Sequence, residues 1–410
     1  MSLFDVEAVK ADFPILRREI RPGVPLVYLD SAATSLMPSA VMDAMRAFDE
    51  NHRANIHRGV HTLAEESTAM YEQSRQEIAD FIGCSKPQEI IFTRNTTESI
   101  NLVVHSWGRA NLQPGDTVLL SEMEHHANLV PWQMLAAQIG FRLEFIPVGE
   151  DRLLDMPAFR RLLADHTPKM VAVTHVSNVL GTVNPLEEII NAAHAAGALV
   201  LIDGAQAVPH MYVDVIDLDV DFYAFSAHKM LGPTGIGLLY GREALLEAMP
   251  PFLGGGDMIK KVELRSFKAN DLPWKFEAGT PAITQAIGLA AAVRYLKHIS
   301  MPLVESHSRE LVDLAIEQLS AIDGVEIFGP GKGQQLASVA FMVRNVHPHD
   351  VSAMLDQVGV ALRAGHHCAM PLHHRFGVNA TTRASFSIYN QEQDVSVLVR
   401  GIEQALAAFA

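Results

Sequence analysis

Of the 410 residues only two are cysteines, Cys84 and Cys368. Cys368 stands in "RAGHHCAMP", residues 363–371, just after Arg363, His366 and His367. A cysteine kept for packing is a small buried hydrophobe and needs none of these neighbours. Cationic and hydrogen-bonding groups favour the thiolate, the nucleophilic form. On this run alone, packing and chemistry stand even. Lys229, in "DFYAFSAHKMLGPTG", is carried by an apolar run into a loop holding Gly232, Pro233 and Gly235. A lysine at a buried strand end is costly unless paired or neutral. A desolvated lysine with a lowered pKa is what Schiff-base chemistry uses, although most lysines snorkel to the surface. Asp203 closes the run "LVLID". A carboxylate there wants a cation; by itself it also reads as a helix cap or a metal ligand.

Lys229 and Asp203 together fit one cofactor, pyridoxal phosphate, whose pyridinium nitrogen must stay protonated to act as an electron sink. Its phosphate needs a cradle, and "FTRNTTESI" (92–100) places Asn95, Thr96 and Thr97 between a strand and a helix. Hydroxyls and free backbone N–H groups at a helix start bind phosphate, while ordinary capping accounts for one Ser or Thr. Ser226 and His228 add donors from the other side. His125, in "EMEHHANLVPW", is an aromatic group able to cover the pyridoxal ring. Arg383, in "TTRASFSIYN", can hold a substrate carboxylate by a bidentate pair; without the other residues it reads as a surface salt bridge.

These residues need elements to bring them together. "PLVYLD" (25–30), "EIIFT" (89–93), "TVLLS" (117–121), "RLEFIPV" (142–148), "MVAVTH" (170–175), "ALVLID" (198–203), "DFYAF" (221–225) and "GIGLLY" (235–240) read as strands, several apolar nearly throughout. Helical stretches such as "LEEIINAAHAAG" (186–197) lie between them, with Gly197 placed as a helix stop. The alternation predicts an α/β fold with a mostly parallel sheet. In such sheets ligands bind at the carboxyl ends of the strands, where Thr93, Glu122–His126, His175–Asn178, Asp203–Gln206 and Ser226–Lys229 fall. After about residue 290 the pattern changes to that of a smaller α+β domain that carries Cys368. The expected division is residues 21–290 as the large domain, and 1–20 with 291–410 as the small one.

The hydrophobic share of 49% supports sizeable cores, and the net charge of −15 argues against a nucleic-acid backbone or an anionic membrane as partner. No apolar run reaches membrane-spanning length, and the start, "MSLFDVEAVKADFP", has acids and a lysine where a signal peptide is apolar. A cytoplasmic location is therefore expected, with both cysteines as free thiols.

The runs "YLDSAAT", "HRGVHTL", "NTTESINLV", "MEHHANLVPW", "THVSNVLGTVNP", "DGAQAVPH", "FSAHKMLGPTGIG", "FEAGTP" and "RAGHHCAMP" together resemble the SufS-type cysteine desulfurases, also described as selenocysteine lyases. These belong to the class V aminotransferase family, with the pyridoxal-phosphate-dependent transferase fold of type I. The resemblance extends from about residue 11 to the end. It implies that Lys229 carries the internal aldimine, Asp203 holds the pyridine nitrogen, and Gln206 and Asn178 sit near the ring's phenolic oxygen. His125 would stack on the ring and share in catalysis. Thr96, Thr97, Ser226 and His228 would grip the phosphate, with Thr280 of "AGTP" reaching in from the partner of a homodimer. Arg383 would take the substrate carboxylate, with Asn178, Arg363, His57 and Arg58 near the substrate. Cys368 would attack the sulfur of L-cysteine, or meet L-selenocysteine, releasing alanine and keeping a persulfide. Arg363, His366 and His367 would lower the thiol's pKa. The short stretch between Cys368 and Arg383 implies a rigid loop that keeps the sulfur inside, so that a SufE- or SufU-like acceptor must collect it for iron–sulfur cluster assembly. Ala227 stands where many relatives have glycine, and Ser31 and Leu36–Met37 where Asn and Gln–Lys are common; none of these positions holds a catalytic role. Two other readings remain: an aminotransferase or lyase using the same cofactor without sulfur transfer, and a metal site built from His366–His367 and His373–His374.

Overall fold

The computed structural model describes residues 5–409. Seven runs become the strands of one sheet: β1 (Ile90–Thr93), β2 (Thr117–Ser121), β3 (Arg142–Ile146), β4 (Met170–Thr174), β5 (Leu199–Asp203), β6 (Phe222–Ser226) and β7 (Gly237–Gly241). Their spatial order is β1-β7-β6-β5-β4-β2-β3. β7 is antiparallel to both neighbours, and the remaining pairs are parallel. Every residue of β2, β4, β6 and β7 is buried, as continuous apolar runs require. The period of two divides each strand between two cores. Val171, Val173, Val200 and Ile202 face one core. Met170, Ala172 and Leu201 face the other, with Trp107 and Trp132.

A second sheet contains β8 (Val325–Ile327), β9 (Ser338–Val343), β10 (Arg363–Gly365) and β11 (Thr381–Ser385), ordered β8-β9-β11-β10 and antiparallel throughout. Helices Met301–Ser320, Pro348–Gln357 and Glu392–Phe409 cover it, and Leu311, Phe341, Leu355 and Leu398 share its core.

The run "PLVYLD" departs from expectation. Pro25 ends a short strand, Val24–Pro25, that pairs antiparallel with Glu19–Arg21, and Val27–Tyr28 form another that pairs in parallel with Val360–Ala361 rather than joining the large sheet. Val27 and Leu29 point into the core of the second unit, and their N–H groups donate to Gly359 O (2.9 Å) and Ala361 O (2.8 Å). Alternation of Val27 and Leu29 about Tyr28 suits a strand with one buried face, and the second unit supplies that face. Among the described residues no helix is long and apolar enough to cross a membrane, and no group of three or more His, Cys, Asp or Glu is placed to hold a metal ion.

Candidate active site

The carboxyl ends of β1, β4, β5 and β6 meet the second sheet around a cavity of about 210 Å³. β7 runs the other way and presents its first residue, Gly237, between Thr93 and Ser226. A Cβ on Gly237 would lie 2.5 Å from Asn95 Cα, so only glycine lets the turn after β1 settle onto the sheet. Asn95 then caps the helix that starts at Thr96, its Oδ1 accepting from Glu98 N at 2.9 Å. Ser226 Oγ accepts from Thr96 N at 2.8 Å and lies 2.6 Å from Thr96 Oγ1. Asn95, Thr96, Thr97, Ser226 and His228 all line the cavity. They form a cluster of hydroxyls at a positive helix end, the chemistry of an anion cradle.

Lys229 closes the one-turn helix Ala227–Lys229 that follows β6. That turn is clamped from an unexpected direction: Ser35 Oγ donates to His228 O (3.2 Å) and accepts from Leu231 N (2.7 Å). Burial lowers the Lys229 pKa to about 8, the carboxylate of Asp203 opposes that shift, and the Arg383 cation adds to it. Asp203 is 5% exposed, and burial raises its pKa against the pull of Lys229. Its side chain accepts one described hydrogen bond, from Ala205 N at 3.0 Å. Gly204 follows because a Cβ there would lie 2.0 Å from the Tyr223 ring.

His125 also lines the cavity. Its Nδ1 accepts from Ala127 N at 3.0 Å, which leaves the proton on Nε2. Burial, then the Lys229 cation, lower its pKa to about 3, so the ring is neutral. Glu124 anchors this turn: its carboxylate accepts from Thr174 N (3.0 Å), Asn128 Nδ2 (2.7 Å) and Ser121 Oγ. Gln206 donates to Ala32 O at 2.8 Å, and both residues border the cavity.

The second sheet contributes Arg363, Arg383 and the Cys368 turn. Arg383 is 2% exposed. It donates through Nη1 to Asn178 O (2.8 Å) and through Nη2 to Asp30 Oδ1 (3.2 Å), while its buried Nε has no partner among the described residues. Burial lowers its pKa to about 10, with Asp30 opposing. Cys368 lines the same cavity as Lys229. Three hydrogen bonds fix its turn to the large sheet: His126 N donates to Cys368 O (2.7 Å), Asn178 Nδ2 to His367 O (2.6 Å) and Met370 N to His126 Nε2 (3.1 Å).

Several expectations change. Cys368 is exposed rather than held inside. His367 and Cys368 both have left-handed backbone (φ 49° and 57°) in the turn that carries the thiol. The neighbours expected to serve the thiol are engaged elsewhere. Arg363 pairs with Asp30 (3.3 Å), His367 Nε2 meets Thr381 Oγ1 (3.0 Å), and the His366 ring packs edge-on against His373 and His374. Thr280, His57 and Arg58 are not among the residues lining this chain's cavity. Thr280 lies in a separate groove with Arg94 and Glu98; His57 pairs with Glu72 (2.8 Å) and Arg58 with Asp257 (2.9 Å). Asp30, Ala32 and Ser35 were missed. Asp30 ends an apolar run as Asp203 does, the one signal that could have found it.

The donor set fits pyridoxal phosphate: an anion cradle, a buried carboxylate with no ion pair among the described residues, a lysine of lowered pKa and a neutral aromatic ring. Asn95–Thr97, Ser226 and His228 would hold the phosphate, Asp203 the ring nitrogen, and Lys229 the aldehyde carbon. The family described as Aminotransferase class-V matches residues 27–398. The chain is 49% identical over 406 residues to a probable cysteine desulfurase of Halobacterium salinarum, covering 99% of this chain and 98% of the relative. It is 48% identical over 402 residues to a cysteine desulfurase of Dickeya dadantii, covering 98% and 97%. The solved cysteine desulfurase of Thermococcus onnurineus superposes with a TM-score of 0.93 at 41% identity, over 100% of both chains. With the site's chemistry and these likenesses pointing the same way, the chain belongs to the class V aminotransferase family and, within it, to the cysteine desulfurases.

Proposed function

We propose that this chain converts L-cysteine to L-alanine and stores the sulfur as a persulfide on Cys368. The observation that carries the reading is that Cys368 and Lys229 line one cavity, although they come from different sheets. When bound, pyridoxal phosphate supplies an electron sink for negative charge at the substrate's Cα. The residues of the chain do the rest. Arg383, which lines the cavity with its guanidinium held by Asn178 O and Asp30, takes the substrate carboxylate. Lys229, lowered to about 8, is divided between amine and ammonium near neutrality and moves the proton at Cα. The Cys368 thiolate attacks the substrate sulfur, a sulfur–sulfur bond forms, and the carbon–sulfur bond breaks with its electrons left on carbon. A proton then completes alanine. His125 stays neutral and presents Nε2–H to the cavity.

Finer features belong to the same proposal. The enzyme is of the SufS type, acts in the cytoplasm, also accepts L-selenocysteine, and hands its sulfur to a SufE- or SufU-like protein for iron–sulfur cluster assembly. It works as a homodimer in which Thr280, His57 and Arg58 serve the partner's site, consistent with their absence from the cavity of their own chain. It works as two units, a large one and a small one that holds the C-terminal residues. The stretch 27–29 goes with the small unit, because the amides and side chains of Val27 and Leu29 are bound there. The test is the product ratio: L-cysteine should yield alanine and acceptor-bound sulfur in equal amounts. Alanine without thiol-dependent sulfur would leave a lyase of another kind.

A further inference from the structure

The two arginines that face the cavity from the second sheet occupy directly paired positions on neighbouring strands, Arg363 opposite Arg383. Like charges placed directly across a strand pair repel. One carboxylate sits between them: Asp30 Oδ1 is 3.2 Å from Arg383 Nη2 and Oδ2 is 3.3 Å from Arg363 Nε. Asp30 belongs to neither strand. It is brought there by the loop before the large sheet, which forms a parallel bridge to Ser385, two residues beyond Arg383. Leu29 O accepts from Ser385 N at 2.8 Å and Ala32 N donates to Ser385 Oγ at 2.9 Å. The loop is therefore fixed to the strand that holds Arg383 on both sides of Asp30. Asn178 O and Asp30 accept from Nη1 and Nη2 of Arg383 and so fix its side chain at the cavity wall, while its buried Nε has no partner among the described residues.

We propose that Asp30 is a specificity-determining positioning residue: bridging Arg363 and Arg383, it cuts their joint charge to a single positive one and fits the site to amino acids with one carboxylate. This rests on Arg383 as the carboxylate holder. An unbridged pair of arginines would welcome a second anion on the substrate side chain; with Asp30 in place, such a group meets a carboxylate instead.

The probes are L-alanine and L-aspartate, which differ by one carboxylate, titrated into the holoenzyme by calorimetry. The selectivity is the ratio of their affinities. Replacing Asp30 by Asn adds one positive charge, and should shift this ratio toward L-aspartate by about tenfold, the effect of a unit charge at close range after screening. Arg363→Gln should shift it the other way. The double variant, whose charge is restored, should return close to the parent ratio. Asp30→Glu keeps the charge and should keep the ratio, while raising KM for L-cysteine more than it lowers kcat. A loss of structural support alone would weaken both ligands together and would not be mended by a second lesion. An Asp30→Asn holoenzyme with an unchanged ratio, or a double variant no nearer the parent than either single one, overturns the proposal. If Asp30→Asn does not fold, the ratio for Arg363→Gln decides. Arg383→Gln separates the two readings: an unchanged KM for L-cysteine removes Arg383 as carboxylate holder, whereas a raised KM with an unmoved Asp30→Asn ratio removes Asp30 alone.

Discussion

Lys229 and Cys368 carry opposite kinds of cost. Lys229 is buried with its pKa lowered to about 8, so the neutral amine that captures an aldehyde is half the population near that value and approaches its full share about one pH unit higher. The rate at which stripped protein takes up pyridoxal phosphate should climb with pH, be half-maximal near the pKa of about 8 and level off a unit or more above it. Asp203 raises the Lys229 pKa, so Asp203→Asn should move the plateau to lower pH, although the cofactor then binds more weakly. Lys229→Ala should leave the cofactor removable by gel filtration, with no link that borohydride can fix. At Cys368 the cost lies in the backbone. A left-handed non-glycine residue costs about 1–2 kcal/mol, and the exposed thiol makes little packing to offset it. Cys368→Gly should therefore deliver no sulfur yet unfold at a higher temperature than the parent, by about 1 °C for a chain of this length; a lower Tm would place the turn's energy elsewhere. Cys368→Ala should bind L-cysteine and release no sulfur from it. Cys84 is 1% exposed, its Sγ donates to Lys86 O (3.3 Å), and burial pushes its thiol up to about 12. Cys84→Ala should keep full turnover while costing about 1–2 kcal/mol of stability.

The elements were the most legible part of the sequence, because their signals are local. All seven strands of the large sheet were foreseen to within two residues at either end, and the helix before Gly197 does stop there, at φ 79°. What could not be read was which sheet a short run would join. "PLVYLD" has the same texture as the others, and its partner, Val360–Ala361, lies more than three hundred residues away. Partner choice is a non-local matter that no single run encodes. The cradle shows how an element can fail through one atom. Gly237→Ala would press a Cβ against Asn95 backbone atoms at 2.5–2.9 Å, none of which belongs to a flexible side chain. The turn must then shift, at a cost of about 1–3 kcal/mol. The expected outcome is a pyridoxal phosphate affinity at least about tenfold weaker with the strand order intact, read by cofactor titration and circular dichroism.

Across the whole molecule, residues that a sequence lists far apart are brought to one seam. Lys229, Asp203 and the phosphate cradle could be picked out because they end strands of one sheet. Asp30 could not, since its role appears only when a loop from the start of the chain reaches two arginines near its end. Thr280, His57 and Arg58 lie outside the cavity of their own chain, which is why the site is expected to be complete only in a homodimer. Thr280→Ala should weaken phosphate retention, and a dimer formed from one Lys229→Ala chain and one Thr280→Ala chain should keep a single intact site. Light scattering showing a fully active monomer would refute this. An acceptor thiol should speed the steady state if, as proposed, each turnover leaves a sulfur on Cys368. The three hydrogen bonds that bind the Cys368 turn to the large sheet have one more consequence. The amide protons of His126 and Met370 are both donated across the seam, so they exchange for deuterium when the Cys368 turn lifts from the large sheet. Their exchange is a clock: it counts how often the Cys368 turn comes away from the large sheet, and a bound cofactor or acceptor that holds the turn there should slow it.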